Sequence, residues 1–218
     1  MKTDLQLKQD VEAELLWDPR VNAAQIGVSV DNGAVSLLGA VDTYAQKWAA
    51  EHAAKRVFGV HAVAQALTVK ILREHERTDA EITAAVQSAL TWDVRVPGTV
   101  TAKVERGWVT LEGEVPWNFQ RRAAARVVRH LAGVVGLSSS ITITPQPSAV
   151  DVKEKIVAAL QRQATTDADS IHIDTSGGKV TLTGHASSWQ SIEDAANAAW
   201  AAPGVTDVLD QVKRSMTL

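Results

Sequence analysis

The stretch Gly107-Trp-Val-Thr-Leu-Glu-Gly113 decides how the rest of the chain is read, because near-copies stand at Gly33–Gly39 (GAVSLLG) and Gly178–Gly184 (GKVTLTG). Opening glycines at 33, 107 and 178 lie 74 and 71 positions apart, so one unit is written three times. Each closing glycine, Gly39, Gly113 or Gly184, is followed twenty positions later by Gly59, Gly133 or Gly204, and each of these by a valine. Solenoid repeats run to roughly 20–50 residues, so a longer period means tandem small domains. The spacing divides the chain into domains over 1–74, 76–146 and 148–218, with a charged run (Arg73–Arg77) and Pro145-Gln-Pro147 as the joints.

Within a copy the patterns alternate between helical and strand periods. An apolar stripe at helical spacing opens each copy: Leu7/Val11/Leu15, Ile82/Val86/Leu90 and Val152/Ile156/Leu160. Capping-box sequences precede it at Thr3-x-x-Gln6 and Thr78-x-x-Glu81, with a weaker one at Ser148-x-x-Asp151. Two alternating segments follow, such as Val28/Val30 and then Val35/Leu37, joined by Asn-Gly, Arg-Gly or Gly-Gly, dipeptides suited to tight hairpins. An alanine-rich helix is expected over 43–58, 118–132 and 188–202, stopped by Gly59, Gly133 and Gly204 in the helix C-terminal manner. A last strand carries Val60/Val63/Leu67, Val134/Leu137/Ile141 or Val205/Val208/Val212. The fold class is therefore α+β: three α-β-β-α-β units, the nine glycines serving backbone geometry.

The pattern G-x-V-x-L-x-G, nineteen residues, then G-V-x-x-(V/L)-x-x-x-(L/I/V), resembles the BON domain (bacterial osmotic-shock and nodulation domain), three times over. The resemblance implies two helices on one face of a three-stranded sheet. It also implies no catalysis, no cofactor and a bacterial, stress-associated binding role toward phospholipid surfaces or other envelope components.

Composition narrows the partners. A formal net charge of −3 argues against a generally nucleic-acid-seeking chain. No run approaches the ~18 apolar residues of a membrane span, and the start MKTDLQLKQDV has no apolar leader, so a cytoplasmic location is expected. With no cysteine, disulfides and thiolate metal sites are excluded.

Chemistry-bearing sets are few. Ser170, His172 and Asp174 have the residue types of a hydrolytic triad, but same-face strand neighbours sit roughly 6.6–6.8 Å apart, too far for the contact a nucleophile and its base require. Their plain reading is the solvent side of a strand. His172 and His185 could meet across a hairpin, yet two histidines without a third ligand rarely hold a metal. An enzyme is not expected, and no metal.

The binding signal is on the second helix of copy two. Arg121, Arg122, Arg126 and Arg129 fall on one face at about 100° per residue, with Trp117 and Phe119 at the helix entrance and no acid on the helix. Such a basic stripe beside aromatics suits anionic phospholipid headgroups or an acidic protein partner; the alternative is a solvated face, or one docked on acidic copy three. Seven tryptophans are many for this length. Trp17 and Trp92 share the phrase Trp-Asp-x-Arg-Val after the first helix of copies one and two. Trp108 alternates with Val109 and so points to the sheet's open face, where another domain or chain is expected to cover it. A second class of function is a small-ligand or ion sensor; the resemblance implies potassium as the ion, since relatives of the family are linked to its binding, and backbone-carbonyl ligands would leave no trace in sequence.

Overall fold

In the computed structural model, which describes residues 2–144, 152–162 and 170–215, the threefold phrase becomes three like sheets. Copy one runs α1 (Asp4–Trp17), β1 (Ile26–Asp31), β2 (Ala34–Val41), α2 (Tyr44–Arg56) and β3 (Ala62–Val69). Copy two runs α3 (Asp79–Trp92), β4 (Thr101–Glu105), β5 (Trp108–Val115), α4 (Asn118–Arg129) and β6 (Gly136–Ile143). Copy three runs α5 (Val152–Arg162), β7 (Ile171–Ser176), β8 (Lys179–Ala186), α6 (Trp189–Trp200) and β9 (Asp207–Arg214). Each sheet has its strands in chain order, with the first of the two GxVxLxG-flanking strands at one edge and the last at the other.

The pairing follows from the connections. β1 and β2, joined by a two-residue turn, are antiparallel, with Val28 opposite Leu37 and Val30 opposite Val35. β2 and β3 are parallel, with Val35 beside Val63 and Gly39 beside Leu67. Parallel neighbours need a long crossover, and α2 is that crossover. β7, β8 and β9 repeat the arrangement.

Alternate strand residues and both helices of copy one close over a single core. Leu7, Val11 and Leu15 of α1 meet Ala49, Ala50, Ala53 and Ala54 of α2, above Val28, Val35, Leu37 and Leu67 of the sheet. The alanines let α2 approach closely, and the same logic packs Ala195, Ala198 and Ala199 of α6 against Ile156, Leu160 and Leu182. In copy two the corresponding Ile82, Val86, Leu90, Val109, Leu111, Ala124 and Val128 are all buried. The backbone gathers into two compact units. One comprises Met1–Val94, Thr101–Leu111 and Ala124–Ser139; the other comprises Arg95–Val100, Glu112–Ala123 and Ser140–Leu218.

The capping boxes form as the sequence reads at Thr3/Gln6 and Thr78/Glu81; the one at Ser148/Asp151 lies outside the described residues. The helix stops differ from expectation. α2 ends at Arg56 with Val57 extended, α4 at Arg129 and α6 at Trp200. Gly59, Gly133 and Gly204 come later, at positive φ in the turn that leads toward the last strand. Val60, Val134 and Val205 then fill the core before that strand begins.

The opening glycines adopt φ of 77°, 74° and 85°, as a tight hairpin turn requires. A Cβ on Gly107 would stand 2.8 Å from the Gly133 carbonyl oxygen, and one on Gly178 equally close to that of Gly204. The glycine of the phrase and the glycine twenty-six positions later are thus one structural pair. The residue before the turn glycine is also left-handed, at Asn32 (φ 48°) and Arg106 (φ 49°). In copies one and two a carboxylate at the start of the first helix holds this turn. Asp4 accepts the backbone N–H of Asn32 and Gly33 at 2.8 and 3.1 Å, and Asp79 those of Arg106 and Gly107 at 2.7 and 2.8 Å. Copy three has Ala149 at the matching position and Gly177 in the turn, which takes φ 56° without strain.

Candidate functional site

The four arginines of α4 do not form one free stripe. Arg122 and Arg126 are exposed, whereas Arg121 and Arg129 are half-buried. The Arg129 guanidinium lies 3.9 Å from the centre of the Trp48 ring, itself stacked on His52 at 3.6 Å. Arg121 lies 4.8 Å from the centre of Trp200. Desolvation lowers the pKa of Arg121, while Asp207 acts in the opposite direction. Arg122 donates through Nη1 to Asn197 and through Nη2 to Glu193, 3.4 Å away. An indole face attracts a guanidinium through its quadrupole, more strongly where water is displaced. Helical azimuth alone, read from sequence, cannot show that tryptophans wait opposite two of the arginines. Around the helix entrance Trp117 is half-buried, its backbone N–H taken by the Gln120 side chain at 3.1 Å, and Phe119 is exposed.

Trp108 keeps 49 % of its surface exposed in the single chain. Its own sheet supplies the partner: the ring lies on Gly136, where any Cβ would collide with it, and Nε1–H donates to Ser138 Oγ at 2.9 Å. The cross-strand glycine gives the indole a flat seat.

The most exposed aromatics are Trp17 and Trp92, at 81 % and 83 %. Both stand at the last residue of the first helix in their copies, in the shared phrase Trp-Asp-x-Arg-Val. Copy one shows what the phrase does. Asp18, 4 % exposed, receives both Nε–H and Nη2–H of Arg20, at 2.9 and 2.6 Å, and Nη2–H of Arg56 at 3.0 Å. Arg56 also reaches Glu14 at 2.8 Å, so the C-terminal ends of α1 and α2 are tied together. The hydrogen bonds from Arg20 hold the Asp18 carboxyl well below the ordinary carboxylate range; burial works against them, and Arg56 adds to them. The aspartate therefore fixes the turn on which Trp17 projects. The phrase was visible in sequence; that its tryptophan faces solvent while its aspartate is buried was not.

His172 and Asp174 are exposed on β7, opposite Thr183 and Thr181, in the open-face row expected of them. Among the described residues no group of three or more His, Asp or Glu converges as metal ligands would. A concavity of about 220 Å³ in the first unit is lined by Asp42, Thr43, His75, Arg129 and His130 with several apolar neighbours. No described helix is long and apolar enough to cross a membrane.

The BON domain family model matches residues 3–71, 78–145 and 148–215. Among solved structures, the C-terminal domain of CdsD, the structural protein of the type III secretion system of Chlamydia trachomatis, is 14 % identical over the whole of both chains, with a TM-score of 0.27. A second CdsD structure from the same organism is 13 % identical, covers 96 % of this chain and 93 % of its own, and has a TM-score of 0.26. Among curated proteins no sequence matches the chain.

Proposed function

The chain belongs to the BON domain family, as three tandem copies, and from that premise we propose that it is a non-catalytic adaptor that docks peripherally on anionic phospholipid surfaces. The observation that carries the reading is the repeated display of Trp17 and Trp92, each almost fully in water, at equivalent helix ends. Indoles prefer the boundary between water and apolar phase, where the ring is buried and Nε1–H stays hydrated. In sequence an arginine stands three residues after each tryptophan, at Arg20 and Arg95, both exposed, and Arg20 is bound to Asp18. Each basic side chain near an anionic membrane contributes about 1 kcal/mol. Arg126 and Phe119 add a smaller exposed pair on α4, while Arg121 and Arg129 are committed to tryptophans.

Co-sedimentation with vesicles tests this. The native chain is expected to sediment with phosphatidylglycerol-containing vesicles, less so as salt rises, and not with neutral ones. Trp17→Ala with Trp92→Ala should abolish most of the sedimentation; Arg126→Gln should weaken it. Equal recovery of native and double-alanine chains would sink the reading. The concavity beside His75 and His130 favours the small-ligand alternative, which predicts thermal stabilisation by a dissolved ion or metabolite and indifference to vesicles.

A further inference from the structure

The concavity of about 220 Å³ lies inside one compact unit, where chain from copy one meets chain from copy two. Three stretches wall it. Asp42, Thr43 and Ala45 lead from β2 into the first turn of α2, and Ile71 and His75 follow β3. The last stretch, 129–134, runs from the end of α4 into the turn beyond it. The joint between the copies packs on that same turn, since a Cβ on Gly133 would stand 2.8 Å from Cβ of Arg77.

Opposite charges line this concavity without closing on each other. Asp42 is half-buried, and among the described residues its carboxylate has no hydrogen bond or ion pair. A carboxylate in this place could cap the helix behind it, but that role is filled. Thr43 Oγ1 accepts the Gln46 N–H at 3.1 Å, and Gln46 Oε1 accepts the Asp42 N–H at 3.4 Å. Arg129 supplies the positive charge, fixed in place by its stacking on Trp48. It lies near enough to the start of α2 to oppose the burial that raises the pKa of Tyr44. His75 and His130, both exposed, add imidazoles that can donate or accept. Ile71, Leu131 and Val134 make the rest of the wall apolar.

From this we propose that the concavity binds a small zwitterion, an α-amino acid with a short apolar side chain. Its ammonium pairs with Asp42, its carboxylate turns to Arg129 and His130, and its side chain rests on Ile71 and Leu131. An anion alone would face the Asp42 carboxylate, and a cation alone would face Arg129. A neutral ligand would take Asp42 out of water without pairing it, which is costly. Only a ligand with both charges meets both walls. Size sets the upper limit: at about 30 Å³ per water the space equals roughly seven waters, so the ligand has fewer than about ten non-hydrogen atoms. The proposal rests on the small-ligand reading of this concavity and gives it a chemistry. Vesicle docking through the tryptophans is independent of it.

L-valine, isovalerate and isobutylamine are the probes, because the second lacks the ammonium of the first and the third lacks its carboxylate. Each is titrated into the full, isotope-labelled chain at constant ionic strength and followed by amide resonances. Valine should shift Thr43, Ile71, Leu131 and Val134 saturably, in the millimolar range. Each half-analogue should bind about tenfold more weakly, the worth of one charge-assisted hydrogen bond. Asp42→Asn should weaken valine by a similar factor, leave isovalerate no weaker, and keep the unliganded spectrum elsewhere unchanged. Saturable but equal binding of the three probes would keep a small-ligand site and overturn the zwitterion. No saturable shift from any probe would overturn both, and an Asp42→Asn chain that binds valine as the native chain does would also overturn the proposal.

Discussion

Asp18 shows how far one residue organises its surroundings. Its carboxylate is buried and accepts from two arginines, each about half exposed. Removing one partner from a buried ion pair strands the rest, which costs roughly 3–5 kcal/mol in closed sites. Here Arg20 and Arg56 can be rehydrated, so Asp18→Asn should lower stability by about 2 kcal/mol at neutral pH, read as a lower urea midpoint. The pH dependence has a definite sign. The folded-state pKa is depressed, so the stabilisation is complete above the unfolded value of about 3.9 and is lost as pH falls through the lower folded value. Native protein should lose stability below about pH 4 more steeply than Asp18→Asn. Parallel acid profiles would refute the assignment. None of this could be read from the phrase Trp-Asp-x-Arg-Val itself, because Arg56 lies 38 positions away on another helix.

Elements in this chain are specified locally and held by a few distant side chains. The hairpins, capping boxes and apolar stripes were legible because each depends on neighbours within a few positions, as at Thr78/Glu81 and Arg106-Gly107. The clamp of Asp79 on the Arg106-Gly107 turn was not, since it joins a helix start to a turn 28 positions on. Arg106 holds a left-handed conformation that costs an ordinary residue about 1–2 kcal/mol. Asp79→Ala should therefore lower the stability of the protein by about 1–2 kcal/mol, and Arg106→Gly should restore part of it, mimicking Gly177 of copy three. Denaturant titration of both variants would decide; no rescue by glycine would show that strain in the turn is not the issue. Helix α4 was legible in its start but not in its end or its contacts. Because Arg129 lies over Trp48, Arg129→Gln should cost about 1 kcal/mol where the exposed Arg126→Gln costs little. Equal effects on thermal stability would return Arg129 to the solvated face.

At the scale of the molecule, three copies of one fold have diverged in what they show to solvent. Copy one displays Trp17, copy two Trp92 and a half-covered Trp108, and copy three His172 and Asp174 on its sheet. Periodicity in the sequence revealed the shared scaffold because the core repeats. It was silent on the surfaces, where the copies differ and where the proposed binding lies. Trp108 was expected under another domain or chain, and the sequence did not show that a glycine across the strand seats its ring. In the proposed docking Trp17 and Trp92 enter a lipid surface. Emission quenching by phosphatidylglycerol vesicles carrying brominated acyl chains tests it most directly, since bromine quenches only indoles that reach the acyl boundary. The account predicts marked quenching and a blue shift for the native chain, both lost in Trp17→Phe with Trp92→Phe although five tryptophans remain. Quenching of the same size in that double variant, or none in the native chain, would contradict it.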